Sequence, residues 1–308
     1  MCPWSSRQSF STLLLLLTAA EWRSIPALPD RNDFSLPVSN SNGMSDRYPV
    51  ILVHGWNSHP GIWKNLGISL EDEKIPYRKF DHTSMKGAAL PDIATALGEY
   101  LQRVKDGCGW SGPVDIVCHS VGTCIVRYLL EVTDRTTREH PVRQLIGLGP
   151  PNNGSALAEL FNEPKYAEEI INRLTGVFVP RGFDPAADRI VQDVRPQSPV
   201  MHDLLSAGLR HDITYRIIVT ANPVETSGFF PWFKGKTWET GGDGKYRTTL
   251  DGDGIVPHCE SALPGISLDI IPAAAGREAQ YSHINLPRNP QVIGKILHYL
   301  TSPGCQKR

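Results

Sequence analysis

The sequence predicts an α/β fold, a mostly parallel sheet with helices on both faces. Three observations carry this. Short apolar runs such as "YPVILVHG" and "VRQLIGLG" are hydrophobic on both faces, as strands buried on two sides must be. Segments of helical period separate them, the alternation that builds parallel sheets. In "PVDIVCHSVGTCIVRYLL" (113–130) a strand runs into a serine and turns at once into a helix.

Composition agrees. The 308 residues are 40% hydrophobic and 20% charged, ordinary for a globular chain with a sizeable core. The net charge is −1 and no basic block stands out, which argues against nucleic acid as a partner. There is no internal repeat and no metal-ligand pattern such as C-x-x-C or H-E-x-x-H, so no metal is expected.

At the N-terminus, Arg7 precedes an apolar run from Leu13 to Leu17 and the small residues Thr18, Ala19 and Ala20. The run is too short to span a bilayer. It reads as a signal peptide over residues 1–20, implying a secreted, extracellular protein. A membrane-adhering or unstructured leader is the alternative. Residues 21–46, rich in Ser, Asn and Pro, read as a tether. The domain then occupies residues 47–304.

Tyr48–Gly55 reads as the first strand and Pro76–His82 as a second. Pro91–Asp106 spaces Ile93, Leu97, Tyr100, Leu101 and Val104 as a helix, with Gly107 as its stop. Val114–Cys118 is a strand and the helix begins at Gly122. Further strands follow at Val142–Gly149, Ile213–Ala221 and Gly265–Ala273, and Asn289–Leu300 closes the chain as a helix. Residues 156–194 hold helical pieces and no strand, and read as a cap over the site or as a decorated crossover. Of six cysteines, Cys118 and Cys124 read as buried core thiols, and Cys259 with Cys305 is the pair to test for a disulfide.

The strand–serine–helix junction lifts the Ser120 hydroxyl above the sheet. It also aims the amides of the new helix toward the same point, where they can hold an oxyanion. Such elbows usually read G-x-S-x-G; here the stretch is Cys118-His119-Ser120-Val121-Gly122. A serine nucleophile needs a base, and the base needs an orienting acid. His283, on a loop after the last strand, is the candidate base. His298 lies inside a helix, and His258 precedes the last strand. Asp251, Asp253 and Glu225 are the candidate acids. Asp251-Gly-Asp253-Gly lacks the spacing of a calcium loop. The loop after the first strand, "HGWNSHPGIW", offers the Trp56 amide as an oxyanion donor beside that of Val121. His54 there reads as a structural brace.

With these residues placed, the chain resembles the α/β-hydrolase superfamily, and within it secreted bacterial-type lipases and esterases. "VILVHGW", "IVCHSVG", "LGPPNNGS", "VRPQSPVMHDLL", "DGDGIV" and "YSHINL" carry the resemblance over about residues 47–300. The departures are Cys118 in place of the first elbow glycine and Pro150-Pro151-Asn152-Asn153 in place of a Pro-His-x-Gly run. The resemblance implies an α/β-hydrolase fold with a helical cap, and Asp253 as the acid. It also implies hydrolysis of an ester or lipid through an acyl-enzyme, with no cofactor. Acyl transfer by the same triad, or a binding module without catalysis, are the competing functions. In "SGFFPWFKGKTWETGGDG" (227–244), Phe229, Phe230 and Trp232 are candidates for an acyl pocket or for contact with a lipid interface. A self-packed loop over the sheet edge is the other reading.

Overall fold

The computed structural model describes residues 47–108 and 110–302. The expected signal peptide (1–20), the tether (21–46) and Cys305 lie outside the described residues. Six strands form one all-parallel sheet: β1 (Val50–Val53), β2 (Tyr77–Phe80), β3 (Val114–His119), β4 (Val142–Leu148), β5 (Thr214–Ala221) and β8 (Leu268–Pro272). Their order across the sheet is β2-β1-β3-β4-β5-β8. A separate antiparallel hairpin, β6 (Thr237–Thr240) and β7 (Tyr246–Thr249), is inserted before the last strand.

Strand periodicity divides the core in two. On one face Ile51, Val53, Ile116, Cys118, Leu145 and Ile217 pack with α2 (Leu90–Cys108) and α3 (Val121–Arg127). On the other, Val50, Leu52, Val117, Ile146 and Ile218 pack with Leu66 and Leu70 of α1 (Lys64–Asp72) and Val292, Ile293 and Ile296 of the closing helix. Side chains alternate across a strand, so a run apolar at every position feeds both cores. Asp115, the one charge in β3, stays within the sheet because Arg143 and Gln144 of β4 bond its carboxylate. Burial pushes this carboxyl above its usual range against the pull of Arg143.

The expected strands all form; β3 runs one residue further than expected, to His119, and each of the others is shorter than expected. The helix expected over 91–106 is α2, which begins at Leu90 and runs to Cys108, one residue past the expected stop; α1 precedes it and was not among the expected elements. After α3 the chain widens into a π-helical turn, Tyr128–Thr133. Residues 156–194 hold three short helices, α4 (Ala156–Leu160), α5 (Ala167–Leu174) and α6 (Arg189–Asp193), and α7 (Pro199–Ala207) follows. Ser155, Asp188 and Ser198 each cap the helix they precede. A four-residue α8 (His258–Ser261) leads into β8, and α9 (Pro290–Thr301) starts on Asn289, whose side-chain Oδ1 accepts from the Gln291 and Val292 amides. The hairpin was not among the expected elements.

Among the described residues no helix is long and apolar enough to cross a membrane. Cys118 and Cys124 are buried, as expected, and Cys259 is exposed with a free thiol.

Candidate active site

The site begins at the carboxyl end of β3, a central strand. Ser120 sits at φ 56°, ψ −134°, between the last residue of β3 and the first of α3. A non-glycine residue at such an angle is strained and persists only where its surroundings hold it. Two glycines make room. A Cβ on Gly122 would lie 2.5 Å from the His54 carbonyl oxygen, so α3 crosses β1 only because that side chain is absent. A Cβ on Gly55 would lie 2.9 Å from the Ser120 Cβ. The glycine that Cys118 replaces has a counterpart on the next strand. Gly147 pairs with Cys118 across β3 and β4, and a Cβ there would stand 3.1 Å from Thr123 on α3.

The Ser120 hydroxyl donates to His283 Nε2 over 2.9 Å, and His283 Nδ1 donates to Asp253 Oδ2 over 2.7 Å. Both His283 and Asp253 are buried, and Ser120 is 6% exposed. The other oxygen of Asp253 accepts from the amides of Ile255 (3.0 Å) and Val256 (2.8 Å), so the carboxylate cannot rotate away. The His283 amide donates to the Asp253 carbonyl over 2.8 Å. Of the three candidate acids, only Asp253 reaches the imidazole. Glu225 is exposed and paired with Lys236 at 2.9 Å, and Asp251 is exposed. His258 is engaged with the Thr220 carbonyl, and His298 lies on α9.

Three supporting features carried no local signal in the sequence. Gly149, at φ 54°, follows β4; a Cβ there would lie 2.5 Å from Asp253 Oδ2 and 3.2 Å from His283 Nδ1. His119, the residue before the serine, donates from Nε2 to the His283 carbonyl over 3.0 Å. Burial, with His283 beside it, holds the His119 imidazole well below its usual range, so the ring is neutral. A buried network ties the loops together: Arg127 bonds Glu131 and both oxygens of Asn152, and the Asn152 amide reaches the Ser261 carbonyl. This network shows what the Pro150-Pro151-Asn152-Asn153 run does in this chain. Asn152 joins α3, which follows the serine, to α8, which follows the acid.

His54 braces its loop, as expected. Its Nδ1 donates to the Gly55 carbonyl, its Nε2 accepts from the His82 amide, and the two rings stack at 3.8 Å. Burial, followed by the neighbouring His82, lowers its pKa to about 4.

Trp56, Ser120 and Val121 line one cavity together. Apart from Ser155 the rest of its lining is apolar, including Leu157, Phe161, Phe178, Ile190, Val191, Ile255 and Val256. Among the described residues, neither the Trp56 nor the Val121 amide donates to a protein acceptor. The 156–194 segment supplies seven of the fourteen residues that line this cavity with Ser120.

The aromatic candidates stand elsewhere. Phe229 and Phe230 are fully buried in the core, and Trp232, half-buried, packs on Phe230 at 4.9 Å; none lines the cavity. Phe230 lies under the turn that carries the acid, where a Cβ on Gly254 would meet its ring at 2.6 Å. These large rings bury more area in the core than a pocket mouth would hide. Among the described residues, no group of three or more His, Cys, Asp or Glu is placed to hold a metal ion.

No family model matches the chain, and no curated protein matches it. Solved structures do. Lipase BlEst2 of Bacillus licheniformis, in its mature form, superposes with a TM-score of 0.55 at 16% identity, over 82% of this chain and 92% of that one. Phospholipase PlaB of Legionella pneumophila gives 0.53 at 16%, over 83% of this chain and 60% of that one. Lipase B of Aspergillus fumigatus gives 0.55 at 12%, over 89% of this chain and 57% of that one. With the six-stranded parallel sheet and its order, this likeness shows the α/β-hydrolase fold.

Proposed function

We propose that the protein is a serine carboxylic-ester hydrolase in which Ser120, His283 and Asp253 form the catalytic triad. The observation that carries this reading is the continuous pair of hydrogen bonds from the Ser120 hydroxyl, which lines a mostly apolar cavity, through His283 to Asp253. A serine on a strained turn, bonded to an imidazole whose other nitrogen is held by a buried carboxylate, is arranged for acyl transfer.

Ser120 Oγ attacks the ester carbonyl as His283 Nε2 takes its proton. Asp253 keeps the Nδ1 proton in place and stabilises the imidazolium. The carbonyl oxygen, now negative, is held by the Trp56 and Val121 amides, which have no protein acceptor to give up. His283 then returns the proton to the leaving alcohol, and the acyl group stays on Ser120. Water, activated by the same imidazole, releases the acid. Losing one oxyanion donor of this kind costs about 2.7–4 kcal/mol of barrier.

The cavity wall supports an ester with an apolar acyl part, since no charged side chain lines it. The lipases and phospholipase of similar fold favour the same substrate class. The test is hydrolysis of p-nitrophenyl esters by the wild type and by Ser120→Ala. The wild type is expected to turn over, with the variant folded and inactive. Full activity in the variant would overturn the assignment.

A further inference from the structure

The residue proposed to donate its amide to the oxyanion, Trp56, also uses its side chain. Its indole N–H donates to Asp188 Oδ2 over 2.9 Å. Asp188 is the N-cap of α6: its other oxygen, Oδ1, accepts from the Val191 amide over 3.0 Å. One carboxylate therefore holds the loop that bears the oxyanion donor and the first turn of the helix that forms the cavity wall. Ile190 and Val191 of that helix, and Val194 just after it, line the cavity.

The surrounding contacts reinforce the link. The Trp56 ring meets Phe178 and Phe183 edge to face, at 5.4 and 5.5 Å. Asn57, at φ 48°, donates its side-chain amide to the Phe178 carbonyl over 3.1 Å. Phe178 in turn stands edge-on to the His283 ring at 6.0 Å.

We propose that Asp188 is a positioning residue that couples the acyl-pocket wall to the oxyanion donor, so that acyl-chain length is selected in kcat. The inference rests on the hydrolytic reading of Ser120. A short acyl chain leaves α6 seated, and the Asp188–Trp56 bond holds the Trp56 amide toward the oxyanion. A chain that presses the wall outward moves the cap of α6, and Trp56 is pulled with it. The penalty falls on the transition state, because the ground-state ester needs no oxyanion donor.

Two conservative variants cut the link at opposite ends. Trp56→Phe keeps an aromatic ring and removes the N–H. Asp188→Asn keeps the shape and, with its oxygen on the Val191 amide, turns an NH2 donor toward the indole N–H, where Oδ2 accepted. The measurement is kcat and KM on p-nitrophenyl butyrate, octanoate and dodecanoate, with Tm as a check on folding. On butyrate each variant is expected to lose about tenfold in kcat with KM little changed, the size of one well-placed hydrogen bond. The fall in kcat from butyrate to dodecanoate should be shallower in both variants than in the wild type. The double variant should be no slower than the worse single one, because both remove the same bond. Wild-type kcat on every ester, or a drop equal at all chain lengths, overturns the coupling. A wild type that hydrolyses none of the esters overturns the hydrolytic reading first, and the coupling with it.

Discussion

As candidates, Ser120 and His283, which meet at 2.9 Å, were legible from a local signature: an abrupt strand-to-helix turn, and a histidine on the loop after the last strand. Asp253 was one of three carboxylates until the resemblance singled it out, and the reason it prevails is spatial. Its carboxylate faces His283 because the Ile255 and Val256 amides hold its other oxygen. Asp253→Asn should lower kcat on the order of 10⁴-fold, as loss of the correct imidazole tautomer does in triads of this kind. Asp251→Asn and Glu225→Gln should leave kcat within about twofold of wild type, as surface changes remote from the chemistry do; steady-state rates on one soluble ester decide. Gly149 was not legible, since its neighbours Asp253 and His283 lie more than 100 residues along the chain. Gly149→Ala would force a methyl group against the Asp253–His283 bond from a left-handed backbone position. We expect kcat to fall about 10²-fold, the scale of an ångström-sized misplacement. Wild-type kcat in a folded Gly149→Ala variant would contradict this.

The sheet strands announced themselves because burial on two faces requires unbroken apolar runs. The β6–β7 hairpin did not, because its two four-residue strands are mostly polar and its aromatics resemble a flap. Its Thr237 shows what the insertion does. The buried Thr237 hydroxyl accepts from the Gly254 amide over 2.8 Å, and Phe230 packs under the same turn, so the insertion braces the acid. Thr237→Val leaves that buried amide without an acceptor, a cost of about 1–3 kcal/mol. It should slow hydrolysis at temperatures well below Tm, and Thr237→Ser should restore it. If the Val variant matches the Ser variant in kcat, the brace is unnecessary. Phe230→Ala should cost about 3–5 kcal/mol of stability, as aromatic truncations in cores do. Its loss of activity should be equal on soluble and emulsified esters, whereas a selective loss on emulsions would return Phe230 to an interfacial role.

Over the whole molecule, the order β2-β1-β3-β4-β5-β8 brings the elbow after β3, Gly149 after β4, the acid loop after β5 and His283 after β8 to one edge of the sheet. Alternation of strands and helices made that edge legible, since the chemistry of open parallel sheets sits beyond the carboxyl ends of the strands. Residues 156–194 were legible as helical pieces without a strand, and seven of them line the cavity. Their contacts with Trp56 were not, because they join side chains more than 100 positions apart. The same scaffold sets an acid limit. His54, fully buried, has its pKa lowered from 6.5 to about 4. The unfolded chain therefore binds this proton first, and stability fully present above pH 6.5 is lost as pH falls toward 4, by about 3 kcal/mol. Urea unfolding should show a smaller loss between these pH values in His54→Gln than in the wild type; parallel losses would remove His54 as a cause. The central claim, that Ser120 is the nucleophile, is tested most directly by labelling the intact protein with a fluorophosphonate and locating the adduct by peptide mass spectrometry. The account predicts one phosphonate, on Ser120, formed by the wild type and absent from Ser120→Ala. An adduct on another residue, or a hydrolytically active wild type that forms none, would contradict it.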